Sequence, residues 1–188
     1  MTRLITISLV LLGTISSSLA ADNPEFDGAM NSIASEYTAI HKAFYGDSTT
    51  GVDEAAKKID ELARAIDPST IEGENAQLFK TLPSLLVGST AKLLQAKDLA
   101  GKRIAFKELS AAMVKWARAA KPQGIHVAFC SMAKARWLQR EDKVFNPYYG
   151  SSMLHCGTME DKRSQPANTG HEGCAGSVSG HAGSTGDR

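Results

Sequence analysis

The sequence predicts an all-α fold: an antiparallel, four-helix-bundle-like domain followed by a small irregular C-terminal subdomain that holds cysteine and methionine. Three observations carry this expectation. Apolar side chains recur at three- and four-residue steps in successive segments between residues 24 and 120. The connections between those segments are short and marked by Pro, Gly or Asp, which favours antiparallel neighbours. Aromatic content is 6%, while Ala, Leu and Lys are abundant, a composition of good helix formers.

The first stripe is Phe26, Met30, Ile33, Tyr37, Ile40, His41 and Phe44, with Pro24 suited to the first turn and Gly46 to the end. His41 lies on or beside this stripe and reads as a packed or half-exposed side chain rather than a ligand. The second stripe is Val52, Ala55, Ala56, Ile59, Leu62, Ala63 and Ile66, with Thr50 and Asp53 as an N-cap arrangement and Asp67-Pro68 as a stop. Its alternating charges, from Asp53 to Arg64, read as a solvated face. The third segment, 70–97, is interrupted by Pro83 and Gly88, so a kink or break is expected near Leu82. Asp98 caps the fourth helix, whose stripe is Ile104, Leu109, Met113, Trp116 and Ala120.

After Gly124 the pattern changes. Residues 125–130 alternate β-branched and other residues and read as extended, whereas 132–141 read as a short helix carrying Trp137 and Leu138. Asn146-Pro147 marks a turn. From about Ser164 the chain is Gly, Ser, Thr and His with almost nothing apolar, which predicts a disordered tail over 164–188 that includes Cys174. The folded domain is therefore expected over 24–163.

The N-terminus reads as an export signal over 1–20: Arg3, an apolar stretch from Leu4 to Ile15, then Ser18-Leu19-Ala20 before Ala21, with cleavage expected after Ala20 or Ala21. The apolar stretch is short for a membrane span, which needs roughly 20 residues, so a periplasmic protein without stable membrane insertion is expected. Loss of Arg3 leaves twenty basic and twenty acidic residues, a balance that offers no long-range field for nucleic acid. No nucleotide-binding glycine loop, hydrolase elbow, zinc-protease motif or haem-attachment motif is present. The chain is accordingly read as non-enzymatic, with neither haem nor nucleotide.

The candidate site is Cys130, Met132, Met153, His155 and Cys156. Thiolate and thioether sulfur favour soft ions such as Cu(I), and imidazole suits copper as well. Cys130 and Met132 would share a face of an extended segment, and a turn at Asn146 would fold Met153 and Cys156 back towards them. Cu(I), Ag(I) or another thiophilic cation is the expected ligand. An alternative stands beside this one: a Cys130–Cys156 disulfide stapling the subdomain, worth on the order of 3 kcal/mol. Trp137, Tyr148 and Tyr149 then form an apolar lid over the bundle, or a surface that docks a partner.

Several runs together resemble the DUF3347 domain of exported bacterial proteins. They are Ala105-Phe106-Lys107-Glu108-Leu109-Ser110, Cys130-Ser131-Met132-Ala133, Trp137-Leu138, Asn146-Pro147-Tyr148-Tyr149-Gly150, and Met153-Leu154 with Cys156-Gly157. The resemblance spans roughly Phe26 to Met159. It implies a helical domain, and it implies a link to copper or silver handling, because such domains occur joined to periplasmic adaptor subunits of heavy-metal efflux systems. The family's Cys-Pro-Met pattern stands here as Cys130-Ser131-Met132. The expected function is a periplasmic soft-metal-binding protein that buffers or delivers its ion to such an adaptor, with a disulfide-stapled interaction module as the alternative.

Overall fold

The computed structural model describes residues 23–160. The expected signal segment 1–20, the last three residues of the expected domain, and the tail with Cys174 lie outside the described residues. The protein is mostly helical, with a small antiparallel sheet. In chain order the elements are α1 (Pro24–Tyr45), α2 (Val52–Ala65), a one-turn α3 (Ala76–Phe79), α4 (Leu82–Gln95), α5 (Leu99–Ala120), β1 (His126–Cys130), β2 (Ala135–Gln139) and β3 (Thr158–Met159).

The helices follow their apolar stripes. On α1, Phe26, Met30, Ile33, Tyr37, Ile40, His41 and Phe44 are all buried. On α2, Val52, Ala55, Ala56, Ile59 and Ala63 are buried. Helix α2 packs on α1 and α4, and α4 on α5. Asp98 caps α5 as expected, its carboxylate accepting the Gly101 N–H at 2.7 Å. The expected break near Leu82 is real: α4 starts there, with Pro83 in its first turn, where a missing N–H costs no helical bond.

Four expectations fail for physical reasons. The N-cap of α2 is Gly51, in the left-handed region at φ 77°, and not a hydroxyl or carboxylate side chain. Asp53 is not merely solvated: its Oδ1 receives the buried Lys102 Nζ of α5, which also donates to Leu93 O. Ile104 is 68% exposed, although its spacing put it on the stripe of α5. The all-α expectation gives way to a three-stranded sheet of order β2-β1-β3, because residues 135–139 pair with β1 instead of forming a helix. Cross-strand burial decides that last point. Trp137 faces Ala128 and Ala135 faces Cys130, and all four are buried on one face of the sheet.

That sheet packs on α5 through β2. One polar joint fixes its position. The Tyr37 hydroxyl of α1 lies 2.7 Å from Ser110 Oγ of α5 and accepts the Leu138 N–H of β2 at 3.1 Å. Tyr37 is stacked on Phe106, which also packs edge-on against Phe44.

Candidate functional site

Cys130 closes β1 with its side chain fully buried, because it shares the inward face of the strand with Ala128. Cys156 reaches it from the opposite direction. After β2 the chain passes through Asn146, the 3₁₀ turn Gly150–Met153 and Leu154 before arriving at Cys156 and β3. Asn146 directs this path. It is fully buried, its Nδ2 donates to Cys156 O at 2.7 Å, its Oδ1 accepts the Tyr148 N–H at 2.9 Å, and its backbone N–H donates to Leu154 O. The residue after Cys156 must be glycine. Gly157 has φ 147°, and a Cβ there would lie 2.9 Å from Trp137 Cη2 and 3.0 Å from Phe129 O.

The Cys130 and Cys156 sulfurs end 3.5 Å apart in a buried setting. An S–S bond is about 2.05 Å, so the two are in contact and not bridged. Cys130 is a free thiol, while Cys156 is disulfide-bonded. The Ala133 N–H points at Cys130 Sγ, at 3.4 Å.

The other sequence-derived candidates do not all converge on this pair. Met132 is 59% exposed on the turn between β1 and β2. Met153 is partly buried against the core. His155 is exposed, and its Nδ1–H donates to Val144 O at 2.7 Å. That bond fixes the tautomer and leaves Nε2 as an open lone pair, the arrangement in which protein imidazoles bind metals. Among the described residues no group of three or more His, Cys, Asp or Glu side chains comes together. Trp137 and Tyr148 are buried and packed edge to face, with only Tyr149 of the aromatic trio partly exposed.

A metal can be tested against this geometry. Two thiolates on adjacent vertices of a tetrahedral site with bonds of about 2.3 Å lie roughly 3.8 Å apart. The observed 3.5 Å spacing needs only a small adjustment to chelate one ion, provided the Cys156 sulfur has been released by reduction.

Sequence reasoning missed the residues that build the site. Gln139 is buried, with its Oε1 accepting Trp137 Nε1–H and Phe145 N–H and its Nε2 donating to Glu141 O and Lys143 O. Arg103 donates to Pro147 O, Phe44 O and the Asp47 carboxylate. Asp47 also accepts the Ser151 N–H, and hydrogen bonds from Ser151 and Arg103 pull its carboxyl down to about 2. Buried His41 donates Nε2–H to Phe145 O at 2.8 Å, and burial lowers its pKa. Only the Asn-Pro pair carried a signal, and that signal indicated a turn, not a clamp.

A family model described as a protein of unknown function, DUF3347, matches residues 33–124. The chain carries a DUF3347 domain. The matched range covers most of α1 and then α2 to α5, and it ends just before β1. The sulfur pair and the Asn146–Gly157 run, which contributed most to the resemblance in the sequence, lie beyond the matched residues. No curated protein and no solved structure matches the chain.

Proposed function

We propose that this DUF3347 protein is an exported, non-catalytic binding protein for a soft cation, Cu(I) or Ag(I), which it buffers or hands to a periplasmic efflux adaptor. Cys130 and Cys156 supply the thiolates, and His155 Nε2 or the Met153 thioether completes the ligand set. The reading is supported above all by the 3.5 Å contact between Cys130 and Cys156, sulfurs 26 positions apart in the chain. Soft thiolates bind Cu(I) tightly, and weaker thioether or imidazole donors allow ligand exchange on release. Because Cys156 is disulfide-bonded, uptake requires a reductant that frees its thiol. The helical part, with the packing of a bundle, acts as the scaffold.

The test is titration of the reduced protein with Cu(I) against a chromophoric chelator, under anaerobic conditions. One ion per chain is expected. Cys130→Ser and Cys156→Ser should each weaken binding by about a hundredfold or more, or about 2.7 kcal/mol, while far-UV dichroism stays helical. Unchanged affinity in Cys156→Ser would sink the proposed site.

A second reading, an interaction module of the cell envelope, is favoured by one observation. Exposed Ile104 lies with Ala100, Ala133 and Tyr149 along a shallow hollow of about 250 Å³. A reduced protein that takes up no copper, yet loses adaptor binding in Ile104→Asp, would favour that module.

A further inference from the structure

We infer that the cleft between α5 and the β1–β2 turn is a binding site for a small multivalent anion bearing carboxylate or phosphate groups. Its lining includes Lys107, Lys115, Arg118, Lys134 and Arg136, with Val114 and Ala135 as an apolar floor, around a volume of about 320 Å³. No acidic residue lines it. The whole chain has 21 basic and 20 acidic residues, so five cations around one cleft is a local segregation of charge and not a reflection of composition.

The helix supplies its share by periodicity. Lys107, Ala111, Val114 and Arg118 follow one another at three- and four-residue steps, and Lys115 lies four residues after Ala111, so they present one face of α5. The sheet supplies the rest at the turn and first strand positions. Lys134 stands in the left-handed region at φ 49°, a conformation that non-glycine residues seldom adopt.

Existing partners do not neutralise this cluster. One carboxylate, Glu160, serves both Arg118 and Arg136, at 2.6 and 2.7 Å. Burial alone would raise the Glu160 pKa, but the bonds from these two arginines hold it below its ordinary value. Each guanidinium has five N–H donors, so both retain capacity for a further oxyanion. Lys107 is held by Ala133 O at 2.9 Å, an uncharged partner that leaves its positive charge uncompensated. Lys115 and Lys134 have no acidic partner among the described residues.

The size and lining decide the ligand class. A cleft of this volume suits a small molecule and not a polymer track, and it has no aromatic ring on which a nucleic-acid base could stack. A compact molecule with two or three anionic groups matches the cations.

The experiment is isothermal titration of the full mature chain with citrate, and separately with pyrophosphate, at low and at moderate ionic strength. Saturable binding of at least one probe, weakened by salt, is expected. The double charge reversal Lys115→Glu/Lys134→Glu should weaken it by at least about tenfold, and Glu160→Gln should strengthen it by removing the competing carboxylate. A difference between citrate and pyrophosphate tells a carboxylate site from a phosphate site. Absence of saturable binding for both probes, or binding indifferent to the double reversal in a protein with an unchanged thermal transition, would overturn the site. Cu(I) uptake is measured separately and is independent of this outcome.

Discussion

The helices up to Ala120 and the sheet-and-loop segment from His126 to Glu160 are held by different kinds of interaction. The helices meet through apolar side chains, with Met30, Ile33, Ile40, Ile59, Leu86 and Met113 fully enclosed. The later segment contributes few large aliphatic side chains and relies on polar groups bonded to backbone: Gln139, Asn146, and the hydroxyls of Tyr37 and Tyr148. Apolar packing tolerates volume-conserving exchange. A buried amide whose donors and acceptors are all used does not, since any replacement strands its partners. The sulfur pair lies in the second, less forgiving region.

Trp137→Ala tests that contrast most strongly. It removes a fully buried ring packed against Tyr148 and should cost about 3–5 kcal/mol. Ile59→Ala, on the helical side, should cost about 2–5 kcal/mol. Denaturant curves followed by helical dichroism and by Trp fluorescence should coincide for both variants. A Trp137→Ala protein that keeps its helical transition unchanged would show that the two regions unfold separately.

Asn146→Ala should destabilise by about 2–3 kcal/mol, because it strands Cys156 O and the Tyr148 N–H inside the protein. It should also speed alkylation of Cys130, which mass spectrometry reads directly. Gly150→Ala should cost about 1–3 kcal/mol, since φ is 56° and a Cβ would fall on the Asp47 carboxylate.

A smaller effect comes from His41. Its folded-state pKa is lowered from 6.5 by burial, so the neutral form is favoured in the fold. Its contribution is full above that ordinary value and is lost as pH falls below it. Stability should therefore decline from about pH 7 to about pH 5, and the decline should be shallower in His41→Phe. Equal slopes would mean that His41 is not the responsible group. Phe145 O accepts its Nε2–H, Tyr45 packs edge-on, and Glu141 supplies the nearby negative charge that partly opposes the shift. The smallest change is expected for Lys92→Ala. Its pair with Glu108 is exposed on both sides and should shift stability by under about 0.5 kcal/mol.

The helices were legible because burial along a helix leaves a periodic trace in one segment of sequence. The stripe on α1 predicted every buried position from Phe26 to Phe44 other than Ala34. The strand at 135–139 was not legible, because its burial depends on β1 lying alongside, and the short run Ala135 to Gln139 suits a helix equally well. The juxtaposition of Cys130 and Cys156 was visible as chemistry, but the outward position of Met132 was not, because a turn and not an extended strand follows Cys130. Arg103 left no trace at all. Its role is to gather carbonyls from two distant segments, and such a role has no period.

The phenol that joins α1, α5 and β2 is also an optical gauge. Burial raises the pKa of Tyr37, and burial likewise lifts that of Tyr148 well above 10. Neither ring can shed its proton in alkali until water reaches it, and water reaches Tyr37 only when the sheet lifts off the helices. The share of tyrosinate absorbance that these two of the four tyrosines add during an alkaline titration thus follows the opening of their buried surroundings, in a wild-type chain that needs no label.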